Sequence, residues 1–282
     1  MSDRVRPSEE GLREAARWVL SLEHVPRGGA SGDALGRGTG SSMEFHDRRP
    51  YAPGDDVRHI DWRAMAKTNE VLVRVHQEEV APRLDLFVDV SKSMATEPAK
   101  AQRTVDLAAV LSASARAAGY AVRIVALGDR IERVSSDQLM ADGLAFTSSR
   151  PLGDLVGEAG GEARPASLRV LVSDFLVPAD PVRMAQPFAR GAGRIALLQV
   201  LSRRDAEPVA MGALRLLDAE RDEIREVVVD RAALRRYGER LERLQAGLAE
   251  AAQRHGGQFV SLRSDATLAQ GLEALAARGI LA

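Results

Sequence analysis

Two carboxylates and two hydroxyls in this chain are spaced for chemistry on a hard cation. Asp89-Val90-Ser91-Lys92-Ser93 puts one carboxylate and two hydroxyls on the same side of a turn. All are oxygen ligands suited to Mg²⁺ or Mn²⁺ in a shell completed by water. Asp174, in Val172-Ser173-Asp174-Phe175, is placed to add a carboxylate directly or through water. The same residue types are ordinary helix caps. What raises the motif above capping is its setting, because it directly follows a buried strand and a second strand-terminal Asp, Asp174, appears later in the same sheet.

The elements that must position these side chains follow an alternating pattern. Leu84 to Val88, Ala121 to Leu127, Leu168 to Val172, Ile195 to Val200 and Phe259 to Leu262 read as strands. Between them the spacing predicts helices over Pro98 to Ala118 and Pro181 to Arg190, a long one capped by Asp230, and a last one capped by Asp265. Leu214 to Leu217 and Ile224 to Val229, separated by the charged Asp218 to Glu223, read as a hairpin. Such alternation predicts an α/β fold, a mostly parallel sheet flanked by helices, with ligand sites at the carboxyl ends of the strands. Residues 81–282 carry this pattern.

Residues 1–80 read as an extension with little core of its own, expected to pack onto the sheet. Ser8 is placed to cap a helix whose face carries Leu12, Ala15, Ala16, Val19 and Leu20. A Gly/Ser-rich loop follows over Ala30 to Ser42. After it come a polar-aromatic segment from His46 to Arg63, a turn at Tyr51-Ala52-Pro53-Gly54 and a strand at Val71 to Val75.

Composition narrows the function classes. The 282 residues are 45% hydrophobic and 28% charged, with net charge −1 and no cysteine. Disulfide staples, thiol catalysis and Cys-ligated metal are excluded, and balanced charge without a Lys/Arg block speaks against a nucleic-acid binder. No secretory leader is read at the start, and no apolar run of about 18 residues suggests a membrane span. The expected location is cytoplasmic. Gly36-Arg37-Gly38-Thr39-Gly40 lacks the strand and the Gly-Lys-Ser/Thr of a phosphate loop, and the five His residues show no metal-ligand spacing.

The run Leu84-Asp85-Leu86-Phe87-Val88-Asp89-Val90-Ser91-Lys92-Ser93-Met94 resembles the opening strand and metal-ion-dependent adhesion motif of von Willebrand factor A domains. Upstream, the stretch from Glu44-Phe45-His46-Asp47-Arg48-Arg49-Pro50-Tyr51 through Asp55-Asp56-Val57-Arg58-His59-Ile60-Asp61-Trp62 resembles the signature of the domain-of-unknown-function-58 family. The chain is similar to the family's shorter members, which lack two membrane helices before this region. The resemblance implies a von Willebrand A-like fold. It also implies a metal set of Asp89, Ser91, Ser93, Asp174 and a Thr on an intervening loop, for which Thr147 in Phe146-Thr147-Ser148-Ser149-Arg150-Pro151-Leu152 stands in place. The glycine pair usual beside that Thr is absent here.

What the resemblance implies for function is a non-enzymatic docking module. A Mg²⁺ or Mn²⁺ ion would accept a partner's carboxylate, the partner being a MoxR-type AAA+ ATPase or its client. Two alternatives stay open: a metal-dependent hydrolase using the same carboxylates, and a metal-free scaffold. Arg48, Arg49, Tyr51, Asp55, Asp56, Arg58, Asp61 and Trp62 form a candidate partner surface, since Arg and aromatic residues make binding hot spots. The structural reading, which the residue types favour, is a salt-bridged turn clamping the N-terminal segment onto the sheet domain.

Overall fold

Apolar runs ending in a carboxylate or a hydroxyl build the central sheet. The structure, a computed structural model, describes residues 4–21, 43–53, 57–68, 70–78, 81–220 and 223–282. In chain order, α1 (Glu9–Ala15) precedes β1 (Met43–Pro50), α2 (Trp62–Thr68) and β2 (Leu72–Glu78). Then follow β3 (Arg83–Asp89), α3 (Pro98–Ala117), β4 (Ala121–Leu127), β5 (Ile131–Val134), α4 (Ser136–Asp142) and α5 (Leu152–Glu162). β6 (Leu168–Ser173), α6 (Pro181–Ala189), β7 (Arg194–Leu201) and the short α7 (Arg203–Ala206) come next. The chain continues through β8 (Gly212–Leu217), β9 (Ile224–Val229), α8 (Arg231–Arg254), β10 (Gln258–Arg263) and α9 (Leu268–Ala277).

Chain contacts separate two units, Met1–Arg27 with Pro82–Ala282, and Gly28–Ala81. By these contacts the N-terminal helix groups with the sheet. The reason is polar docking. Ser8 donates from its backbone N (2.7 Å) and its Oγ (2.9 Å) to the Asp106 carboxylate on α3. Gly11 lies so close that a Cβ there would sit 2.5 Å from Asp106 Oδ1. The apolar face expected on this helix forms only in part, with Ala15 and Leu20 in the core. α1 stops at Ala15, Leu12 and Val19 are exposed, and Leu20 pairs instead with Leu281 near the other end of the chain.

In the larger unit the sheet order is β10-β7-β6-β3-β4-β5. Neighbours run parallel except β4 and β5, which are antiparallel. β3 lies inside the sheet, buried on both faces, and its alternation sorts the layers. Leu84, Leu86 and Val88 join the core formed with α3 and α9. Phe87 joins the opposite core with α5, α6 and α8, where its ring meets Phe188 edge-on at 5.2 Å. Asp85 and Asp89 share the Phe87 side, one toward each end of the strand.

The sheet, α3 and the β8–β9 hairpin agree with the sequence expectations. The final helix is capped by Thr267 in a capping box with Gln270, not by Asp265, whose carboxylate is taken by Arg263. The short β5, α4 and α5 were not anticipated. β8 and β9 form a two-stranded ribbon apart from the main sheet, and the backbone N–H of Asp218 donates to Glu223 at its turn (2.8 Å). Among the described residues no helix is long and apolar enough to cross a membrane.

In the smaller unit β1 pairs antiparallel with β2, with a register shift between Phe45 and Asp47. Only the second strand is visible in the sequence pattern, because charged residues interrupt the alternation of the first. The expected Gly/Ser-rich loop from Ala30 to Ser42 lies outside the described residues.

Candidate metal centre

β3 and β6 are parallel neighbours, so the residues that end them emerge at the same edge of the sheet. Asp89 is the last residue of β3, and Asp174 directly follows Ser173 at the end of β6. Both are buried, at 2% and 4% exposure. One Asp89 oxygen accepts from the Ser91 backbone N–H (2.9 Å) and the other from the Ser173 hydroxyl (2.6 Å). The Ser91 and Ser93 hydroxyls lie 2.9 Å apart. Burial, reinforced by the Asp174 charge, pushes the Asp89 carboxyl up to about 6.

Asp174 is held differently. Its Oδ1 accepts from the Leu176 backbone N–H (2.9 Å), and its main-chain carbonyl accepts from the Gln199 side chain (2.8 Å). Its Oδ2 accepts from Lys100 Nζ at 2.7 Å. The same ammonium lies 2.9 Å from Asp205 Oδ2 on α7 and donates to the Ser93 carbonyl (3.3 Å). Burial works against the Lys100 charge, yet the two flanking carboxylates outweigh it and hold its pKa above the ordinary lysine value.

Two carboxylates, Asp174 and Asp205, thus flank one buried ammonium, Lys100, while Asp89 lies near enough to Asp174 to feel its charge. Asp89 accepts from neutral donors alone. With the Ser91 and Ser93 hydroxyls beside it, the donor set is hard, oxygen-rich and negative, so its chemistry fits Mg²⁺ or Mn²⁺. Among the described residues no three His, Asp or Glu side chains form a metal cage. The fit therefore rests on mixed carboxylate and hydroxyl donors.

The loop expected to supply a Thr runs alongside the motif. Ser148 pairs in parallel with Ser91, its backbone N–H donating to Val90 (3.2 Å) and its carbonyl accepting from Lys92 (2.9 Å). That pairing turns Ser148 inward, where it is buried and its hydroxyl donates to Asp129 (3.0 Å). Thr147, one residue earlier, is exposed. The structure thus brings Asp89, Ser91, Ser93 and Asp174 to one edge and turns Thr147 to solvent. Sequence reasoning missed Ser173, Lys100, Asp205 and Glu220, the last of which accepts from the Ser93 hydroxyl (3.3 Å).

Residues 47–246 match the protein family described as "Protein of unknown function DUF58". The chain belongs to this family. The DUF58 chain is 30% identical to "Uncharacterized protein Rv1480" of Mycobacterium tuberculosis, over 87% of its own length and 82% of that protein. The same figures hold for "Uncharacterized protein Mb1516" of Mycobacterium bovis. Among solved structures, it resembles BatB from Bacteroides thetaiotaomicron with TM-score 0.41 and 13% identity, covering 71% of this chain and 98% of that one. An aerotolerance-related membrane protein from Bacteroides fragilis gives TM-score 0.40 and 12% identity, covering 70% and 98%.

The candidate partner surface of the DUF58 chain divides once placed. Tyr51, Arg58 and Trp62 are exposed, Trp62 at 62%. Asp61 is instead buried and caps α2, accepting from the Ala64 backbone N–H (3.1 Å), so it is removed from the surface set. Arg48 and Arg49 lie on β1, and Asp55 and Asp56 fall outside the described residues.

Proposed function

We propose that this chain is a protein-docking module of von Willebrand A type. Asp89, Ser91, Ser93 and Asp174 would hold Mg²⁺ or Mn²⁺ for recognition of a partner's Asp or Glu. The observation that carries the reading is Asp89, a buried carboxylate with neutral donors only, facing a second carboxylate across the strand ends. Burying such a group is costly without a compensating cation. The bound ion would supply one position that an external carboxylate fills. The chain's own part is rigid presentation. β3 and β6 fix the two carboxylates, Ser173 orients Asp89, and Lys100 leaves Asp174 only partly neutralised.

From the family resemblance we infer that the partner is a MoxR-type AAA+ ATPase or its client, and that the chain acts without catalysis. The exposed Tyr51, Arg58 and Trp62 offer a further protein contact. One observation favours a metal-free scaffold. Lys100 already bridges Asp174 and Asp205 as an internal cation.

Isothermal titration of the chelator-treated chain with Mg²⁺ and Mn²⁺, wild type beside Asp89→Ala, separates the two readings. Saturable binding by the wild type, lost in the variant, is the expected result. Heat-silent titrations of both, with no thermal stabilisation by either ion, would transfer the argument to the scaffold.

A further inference from the structure

The β8–β9 ribbon leaves the sheet after α7, and its turn comes back to the motif loop. At that turn the Glu220 backbone N–H donates to Asp218 Oδ1 (3.0 Å), and the Asp218 N–H donates to Glu223 (2.8 Å). These bonds fix the direction in which residue 220 leaves the backbone. The Glu220 side chain is half-buried, and its Oε1 accepts from the Ser93 hydroxyl at 3.3 Å, across 127 residues of sequence. The expected hairpin therefore does more than join two strands. It carries an acid to one of the candidate ligand hydroxyls.

We infer that Glu220 is the chain's own occupant of the carboxylate position at this site, which an external acid must displace. The inference rests on the metal-docking reading above. A serine hydroxyl has one proton and two lone pairs, so Ser93 can donate to Glu220 while its oxygen faces a cation. A carboxylate already at that hydroxyl is the same chemical group as the ligand sought from outside. Because it is tethered, it competes at an effective concentration on the order of millimolar. Weak or isolated acids in solution would then lose to Glu220. A partner would succeed by adding contacts beyond the carboxylate, and the site would discriminate against free carboxylates without any further device.

The test uses the full chain with Mn²⁺ as the ion and acetate as the competing acid. Bound Mn²⁺ is read by its enhancement of water-proton relaxation, with Glu220→Gln beside the wild type. Glu223→Gln, a neighbouring acid in the same turn that pairs with Arg225, serves as a control. Asp89→Ala reports on the site itself. Removing one ligand should weaken Mn²⁺ binding by roughly threefold to tenfold and raise the relaxation per bound ion. Acetate should reverse that rise at concentrations roughly tenfold below those that affect the wild type. Glu223→Gln should match the wild type. Equal relaxation and equal acetate response in wild type and Glu220→Gln, with binding still lost in Asp89→Ala, would overturn the Glu220 assignment and leave the metal site standing. Absence of Mn²⁺ binding in every form would overturn both. Circular dichroism of each variant confirms that the fold is intact.

Discussion

β3 carries two buried aspartates on the same face, and they are treated in opposite ways. Asp85 accepts from the Arg164 backbone N–H (2.7 Å), from Arg164 Nε (2.7 Å) and from the Ser167 hydroxyl (2.8 Å). Its charge is paired, and each partner is further anchored. Arg164 reaches the Leu84 and Ala121 carbonyls, and the Ser167 hydroxyl oxygen also lies 2.8 Å from the Arg164 carbonyl. Asp89, four residues on, has two neutral donors and a carboxylate neighbour. A protein that satisfies one end of a strand with a guanidinium and leaves the other end negative has made one end structural. The other end is suited to binding a cation.

That contrast can be broken most visibly at Asp85. Asp85→Ala leaves Arg164 without its anion in a largely buried place and should cost about 4 kcal/mol of unfolding free energy. The midpoint of urea denaturation reads this, while Mn²⁺ binding per folded molecule stays unchanged.

The second expectation has the opposite sign. In the metal-free chain the folded Asp89 carboxyl titrates at about 6 instead of the ordinary 3.8. The folded state then binds its proton more tightly than the unfolded state does. This group's contribution to stability therefore falls as pH rises from about 4 to about 6, and stays low above that. A shift of about two pKa units corresponds to about 3 kcal/mol. Asp89→Asn should thus be more stable than wild type in chelator by up to that amount at pH 7.5, with the difference shrinking toward pH 4. Denaturation at the two pH values checks it. A variant that is less stable at both would mean that Asp89 is a structural acid like Asp85.

A smaller effect sharpens the comparison. Ser173→Ala removes a 2.6 Å bond to the charged Asp89 and should cost about 1–2 kcal/mol at pH 7. It should also push the Asp89 carboxyl further up, because that bond favours the ionised form. The pH at which half of the Mn²⁺ affinity is lost should rise accordingly.

Much of the frame was legible because its strands are buried on both faces and its helices follow a 3.6-residue period. Leu84 to Val88 and Leu168 to Val172 are apolar runs broken only by Asp85 and Arg169, and the residues that close them are the ones that meet at the sheet edge. Partners outside those runs were not legible. Lys100 sits in the first turn of α3, where a lysine ordinarily faces solvent, and only the folded helix swings it under Asp174. A weak signal existed, since the chain has just three lysines, of which Lys92 lies within the motif and Lys100 shortly after it. Asp205 is hidden as a capping residue of a four-residue helix, and Glu220 as one acid in a charged turn. In Thr147-Ser148-Ser149, hydroxyl content alone does not say which side chain faces inward. The backbone pairing of Ser148 with Ser91 decides it.

That pairing has a mechanical meaning. The two backbone bonds between Ser148 and the motif loop, with the Ser148 and Ser149 bonds to Asp129, brace three loops as one strut. The braced loop continues to Arg150, just before α5, and Arg150 pairs with Glu158 on that helix. A push on the motif loop is borne by all three loops together. The motif loop is thus held by backbone bonds that leave the side chains of Ser91 and Ser93 out of the bracing.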